Sequence, residues 1–360
     1  MGSNKNQLTI IKDLEIYLNN LNIVAKDKLI KPFLNAFQNY LVSCGRLINS
    51  IEQPGHIYDL HLQKKLIYET DKFLKVADKL EEKLPTDSKI KIRDFFRIIV
   101  GRYLFQSHIL KRFYDKPRGY AGDYLMFEMM YDAKPLSKGI GVYFDYYVFY
   151  HPIVVSVVNR KEKMKRTLKN IISRDLKDHS LVRILNVGCG GARELKELLD
   201  ENIFSQSIDF TLMDQDEEGL KYAESRFRVF KKKNITFNFI QKNALEMMGF
   251  TQRRLNKNYY DVIYTLGIVD YFLDNAFARF IEYCFDLLKP NGRLIIAICS
   301  DRDMACYTAL RWLSEWNFYY RDAGLTKKLI KETIGNPKVE ITWEEKKQIF
   351  FIVIKKIRYS

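Results

Sequence analysis

Three groups of residues have the types and spacing to do chemistry. Gly188, Gly190 and Gly191, in ILNVGCGGARE, follow a β-rich apolar run and precede a helical pattern. Bare backbone at the carboxyl end of a first strand is where ligands bind in open α/β sheets. Asp214 ends the next apolar run, in TLMDQDEEGL, placed to accept both hydroxyls of a ribose. Asn243 and Ala244 follow the third run, where an adenine amino group can be read. A dinucleotide is not indicated, because Arg193-Glu194 stands where the last glycine of GxGxxG belongs. The other glycine-bearing stretch is KPRGYAGDY at Lys116–Tyr124. No strand leads into it, so it is not a phosphate loop. Gly119 and Gly122 allow a compact turn presenting Arg118, Tyr120 and Asp123, which serves either as a lid over a bound nucleoside or as a pin between helices and sheet.

The elements that must position these groups follow from apolar periodicity. From about Gln7 to Asn159 apolar residues recur at three and four, as in Leu14, Ile16, Leu18, Leu21 and in Phe73, Leu74, Ala77, Leu80, Leu84. Breaks fall at Gln53-Pro54-Gly55, at Pro85-Thr86-Asp87 and at the KPRGYAGDY stretch. From Arg183 the pattern changes to strand–helix alternation. It runs through RILNV, a helix from Ala192, DFTLM, a helix capped by Asp216, ITFNFI, DVIYTLG, a helix over Asp274–Leu288, and RLIIAI. That alternation specifies a parallel sheet covered on both faces. A helical stretch around Arg302–Tyr320 then precedes VEITW and QIFFIVIKKI, two terminal strands expected to pair as an antiparallel hairpin. The expected fold is α/β, a Rossmann-like seven-stranded sheet behind an all-helical N-terminal domain. The expected boundaries are 1–159 for the helical domain, carrying RGYAGDY, and 160–360 for the sheet domain.

Composition bounds the classes. The 360 residues are 47% hydrophobic, enough for sizeable cores, and the longest apolar runs, such as Ile349–Ile354, fall far short of a membrane span. Met1-Gly2-Ser3 opens without a basic-then-apolar leader, and the five cysteines form no CxxC pair, which together suit a reducing cytoplasm. The five histidines have no metal-ligand spacing, so no metal is expected. A net charge of +15 leaves a nucleic-acid partner open, but the lysines are spread along helices and turns, as in Lys231–Lys233, not gathered beside stacking aromatics. A basic surface that draws in small anionic substrates fits as well.

The spaced signals over Arg183–Ile357 resemble the class I S-adenosylmethionine-dependent methyltransferases. The resemblance implies S-adenosyl-L-methionine as cofactor, with Gly188, Cys189 and Gly190 against the methionine part. It also implies Asp214 and Gln215 at the ribose, Asn243 and Ala244 at the adenine, and Leu266 and Gly267 at the end of the fourth strand. Asn186 and Asn243 depart from the pattern, since acids are common at both positions. KPRGYAGDY, IVDYFL, EWNFYYR and GCGGARE together resemble a narrower family, the methyltransferases that make the methyl ester of 3-hydroxypalmitate, a quorum-sensing signal. Gly191 where proline is expected, and CSDRDMACY after the fifth strand, depart from that family and put its substrate in doubt.

A carboxylate acceptor needs little acid–base help, because it is already an anion and meets a cationic sulfonium in line. Arg118 then pairs with the methionine carboxylate, and Arg160 is either a second such partner or a surface residue. Aromatic faces hold a sulfonium without competing as nucleophiles, the candidates being Tyr120, Tyr271, Phe272, Trp316 and Tyr319. Tyr120, Asp270, Tyr271 and Arg321 are the candidate catalytic residues, with Asp270 ordering a substrate hydroxyl and Arg321 steering its carboxylate. Met126, Phe127, Met129 and Met130 are either core or the lining of an acyl slot. Two rivals stay open. A nucleic-acid or protein methyltransferase lacks its amino-group motif here, where LGIVDY stands instead, and a non-catalytic module that only binds the cofactor would keep the same glycine turn.

Overall fold

The computed structural model describes residues 26–53, 55–201, 204–230, 234–248, 255–335 and 337–357. The chain's opening, with Met1-Gly2-Ser3 and the repeat through Leu14, Ile16, Leu18 and Leu21, lies outside them, as do Pro54 and Lys231–Lys233. The described chain forms two compact units, each discontinuous in sequence. One holds the residues up to Gly122 together with Asp132–His151 and Met304–Asn317; the other holds Asp123–Tyr131, Pro152–Asp303 and the residues from Phe318 onward.

The first unit is helical. Its helices are α1 (Lys26–Ile51), α2 (Leu60–Glu81), α3 (Thr86–Leu104), α4 (His108–Asp115) and, beyond KPRGYAGDY, α6 (Ile140–Tyr150). Rings make its core: Phe73 stacks on Phe96 at 4.9 Å, and Trp312 meets Phe96 edge-on at 5.4 Å. Trp312 comes from a later helix, α12 (Thr308–Ser314), fastened by Arg311 to Asp78 and Glu81. The expected helix over Arg302–Tyr320 is therefore shorter. It is a 3-10 turn and one short helix, after which Trp316–Tyr320 runs outside any helix and Arg321 bridges to Ser300. Glu315, in the left-handed region at φ 54°, ends that helix.

Buried Asp145 on α6 fixes the connection between α4 and α6. Its carboxylate accepts the Ser107 hydroxyl at 2.6 Å and the backbone N–H groups of Leu136 and Ser137 at 3.0 and 3.1 Å.

The second unit is a seven-stranded sheet in the order β3-β2-β1-β4-β5-β7-β6. Its strands are β1 (Leu181–Val187), β2 (Ser207–Asp214), β3 (Ile235–Gln241), β4 (Tyr260–Leu266), β5 (Leu288–Cys299), β6 (Lys338–Trp343) and β7 (Ile349–Lys355). The first five pair in parallel, whereas β7 runs antiparallel to both β5 and β6, as the terminal runs predict. Helices α7 (Pro152–Asn170), α8 (Arg193–Asp200), α9 (Glu217–Phe227), α10 (Ala244–Met247) and α11 (Asp274–Leu287) connect or flank the strands. α13 (Ala323–Ile334), which the sequence pattern did not reveal, precedes the hairpin. Helix α5 (Tyr124–Asp132), all but its last residue, belongs to this unit, and buried Asp123 caps it by accepting the Met126 N–H at 3.0 Å. Asp216 caps α9 as expected. The turn expected at Asn291-Gly292 lies instead within β5, beside a register shift in its pairing with β4, and Asn291 takes φ 67° there.

Asp145→Ala leaves three donors without their acceptor, two of them backbone N–H groups. It should cost about 2–4 kcal/mol, read as a lowered urea midpoint at unchanged slope; an unchanged midpoint would show that water replaces the carboxylate.

Candidate functional site

A row of incompletely buried residues marks the carboxyl ends of the first four parallel strands, β1–β4. Gly188 and Gly190 follow β1, Gln215 follows β2, Asn243 and Ala244 follow β3, and Leu266 and Gly267 end β4. The backbone there is shaped for close approach. Gly188, Gly190 and Gly267 have φ of 70°, 49° and 91°, conformations that favour glycine. A side chain at Gly188 would strike Ile268, one at Gly190 would touch Tyr124 Cβ, and one at Gly267 would run into the Arg160 guanidinium.

Side chains from elsewhere hold this turn. Asp214 Oδ2 accepts the Gly190 N–H at 2.7 Å and Oδ1 accepts the Asp216 N–H at 2.9 Å. Burial raises the Asp214 carboxyl above its usual range, and those N–H groups oppose the rise. Each oxygen keeps a further lone pair for a ribose hydroxyl. Arg226 donates to the Gly191 carbonyl at 2.8 Å and to both oxygens of Glu128 on α5. Arg193 reaches Glu128 Oε2 at 2.7 Å, and Tyr124 packs on Tyr222 with ring centres 5.0 Å apart. Sequence reading missed this Glu128–Arg193–Arg226 clamp, because its members are far apart in the chain and each looks like an ordinary helix-surface charge.

Beneath the turn lies a buried polar knot. Asn186 Nδ2 donates to Glu194 Oε1 at 3.1 Å and to the Tyr264 hydroxyl at 2.9 Å, while that hydroxyl donates to Glu194 Oε1 at 2.9 Å. Burial raises the Glu194 carboxyl, with Tyr264, Arg160 and Lys161 opposing. Burial first, and the charges of Asp214 and Glu194 second, push the Cys189 thiol well up, so it stays protonated. At the far end Asn243 caps α10 through the Leu245 N–H and donates to Gln215 Oε1 at 2.6 Å. That pair leaves an amide-lined edge beside Ala244.

Of the candidate catalytic residues, the structure brings Asp270, Tyr271 and Arg321 together around the segment after β4, while Tyr120 belongs to the helical unit. Asp270, 1% exposed, faces inward, and its Oδ1 accepts the Cys299 N–H at 2.9 Å. Burial raises its carboxyl, opposed by that N–H, Arg160 and Arg321. Arg321, expected to steer an acceptor, is instead buried and engaged mainly with the segment after β4. It donates to the carbonyls of Val269, Tyr319 and Phe272, reaches Asp274, and lies 4.7 Å from the Phe277 ring centre. Tyr271 and Tyr319 are exposed, with Tyr271 beside Phe318 at 5.6 Å. Phe272 and Trp316 are buried core rings packed on Phe280 and Phe113, which removes both from the sulfonium-facing set. Met126 and Met130 are buried, whereas Phe127 and Met129 are half-buried. Arg118 is exposed and Tyr120 half-buried, both in the helical unit.

Among the described residues no His, Cys, Asp and Glu cluster could hold a metal, and no helix is long and apolar enough to cross a membrane. Residues 178–351 match the family model described as a methyltransferase domain. No curated protein matches the chain. Among solved structures, a possible exported protein from Bordetella parapertussis is 15% identical, covering 91% of this chain and 97% of that one, with a TM-score of 0.51. Magnesium protoporphyrin IX methyltransferase from Synechocystis PCC 6803, with bound S-adenosylmethionine, is 11% identical over 57% of this chain and 83% of its own, with a TM-score of 0.40.

Gly188→Ala should lose about 1–3 kcal/mol from its backbone conformation alone, and weaken binding of S-adenosylhomocysteine in calorimetry. Adding Ile268→Ala should restore part of the stability but not the backbone term. A second prediction concerns pH. Because burial raises the folded-state pKa of Asp270, its contribution to stability is full below the unfolded carboxyl range and is lost as pH rises through the folded value. Asp270→Asn removes that loss, so its stability relative to the parent should improve between pH 4 and 7; paired urea titrations that stay parallel across this range would refute the assignment.

Proposed function

We propose that the protein, whose residues 178–351 match a methyltransferase-domain family model, is a class I S-adenosylmethionine-dependent enzyme that methylates the free carboxylate of a small organic acid, a hydroxylated fatty acid. The observation that carries this reading is the state of the segment after β4. Its one carboxylate, Asp270, is buried and hydrogen-bonded to the Cys299 N–H, so it is not presented as a base. An acceptor that brings its own negative charge needs none.

The residues present fit the donor. Gly188 and Gly190 offer bare backbone to the methionine part, Asp214 keeps acceptor capacity for the ribose, and Asn243, Gln215 and Ala244 form the edge for the adenine. When bound, the donor supplies a methyl carbon on a sulfonium; the acceptor oxygen takes that methyl, the carbon–sulfur pair stays on sulfur, and no proton moves. The chain's task is then alignment and exclusion of water. Exposed Tyr271 lies at the mouth after β4, where its ring can face the sulfonium. Half-buried Phe127 and Met129 line the apolar side toward an acyl chain.

The test is incubation with methyl-labelled S-adenosylmethionine and a panel of fatty and 3-hydroxy fatty acids, free and carrier-linked, read by lipid mass spectrometry. A labelled methyl ester is expected, with a rate nearly indifferent to salt between 50 and 200 mM. Label appearing instead in RNA or protein, with a steep salt dependence, would replace this reading by the macromolecular one.

A further inference from the structure

Four arginines among the described residues are buried: Arg93, Arg97, Arg160 and Arg321. Arg93 pairs with Glu81, Arg97 with Asp94, and Arg321 with carbonyls of the segment after β4 and with Asp274. Arg160, on α7 and only 4% exposed, is different. Its Nε has no hydrogen-bond partner, which is equally true of Arg97 and Arg321, but unlike the other three it has no carboxylate in ion-pair contact among the described residues. Its guanidinium lies 5.4 Å from the Phe127 ring centre, near the Tyr131 hydroxyl, and a methyl group added at Gly267 would come within 2.5 Å of Nη1. Glu194 and Asp270 act on it only as more distant charges.

A buried cation without a contacting anion is costly, and folded chains retain one where something else supplies the charge. The planar fork of a guanidinium matches a carboxylate with two parallel hydrogen bonds. Arg160 stands at Gly267, at the carboxyl end of β4, beside the turn that follows β1. We propose that Arg160 is the receptor for a carboxylate brought in by the reacting pair. This rests on the methyltransferase reading above, and two sources share the chemistry: the amino-acid carboxylate of the donor and the carboxylate of the acceptor.

The experiment uses the full chain, Arg160→Met and Arg160→Lys. Melting temperatures are measured without ligand, and calorimetry follows S-adenosylhomocysteine and 5′-methylthioadenosine, which keeps the nucleoside and thioether but lacks the carboxylate. Removing an unmatched buried charge should leave the ligand-free melting temperature of Arg160→Met at or above the parent's. If the donor is the source, S-adenosylhomocysteine binds Arg160→Met about tenfold to a hundredfold more weakly, methylthioadenosine binds unchanged, and Arg160→Lys recovers part. If the acceptor is the source, both nucleosides bind as in the parent while KM for the acid rises about tenfold or more at unchanged kcat. The proposal is overturned if Arg160→Met keeps all three affinities, or if both nucleosides weaken equally. A parent protein that binds no S-adenosylhomocysteine would remove the methyltransferase reading itself, and the inference with it.

Discussion

A turn made of glycine cannot hold itself, and the site depends on what holds this one. Gly188, Gly190 and Gly191 give up side-chain contacts so that backbone can approach a ligand, which costs conformational entropy with no packing in return. The structure compensates from three directions. Asp214 takes the Gly190 N–H from the neighbouring strand, the Gly188 and Cys189 N–H groups share the Met213 carbonyl, and Arg226 takes the Gly191 carbonyl. Arg226 is in turn fixed by Glu128 on α5, which begins where the RGYAGDY stretch ends. Within the sheet unit, α5 therefore supports the glycine turn: Tyr124 lies against Gly190, and Glu128 anchors the arginines around Gly191.

The polar knot below the turn explains one departure from the family pattern. Members commonly carry an acid on the first strand, and here Asn186 stands there. Glu194 supplies the carboxylate from α8 instead, with Asn186 and Tyr264 donating to it. A second acid at position 186 would face that carboxylate across about 3 Å in a buried setting, where like charges cannot both ionise. An amide keeps the hydrogen bond and drops the charge. Here the carboxylate comes from the helix, and the strand asparagine is its hydrogen-bond donor.

Much of the fold was legible because each strand announces itself by β-rich composition and each connection by its turn residues. Asp216 before α9 and the two closing strands are local signals, and they hold in the sheet. What was not legible is non-local. Nothing near Trp312 in sequence says that its ring completes the aromatic core built from Phe33, Phe73 and Phe96. Trp316 and Phe272 read as site aromatics because ring composition carries no direction; burial supplied the direction. The Glu128 clamp joins residues from three helices and leaves no spacing to detect.

The two arginines of the sheet unit show why residue type alone could not rank the site. Arg321 and Arg160 are both buried and both near Asp270, and sequence context favoured Arg321, which sits in a family-like motif. Arg321 finds the Tyr319 carbonyl in its own segment and, across the site, the carbonyls of Val269 and Phe272 and the Asp274 carboxylate, so its charge is matched and its fork is spent on holding the segment after β4 in place. Arg160 arrives from a helix that no motif marks, opposite a glycine whose missing side chain leaves the guanidinium room, and carries its charge without a contacting anion. In a low-dielectric interior an unmatched charge is the stronger pointer to function, because the chain alone gives no reason to retain it. A site designed only for a nucleoside would not need that cation. A guanidinium fork left open in the interior suits a ligand that carries its own carboxylate.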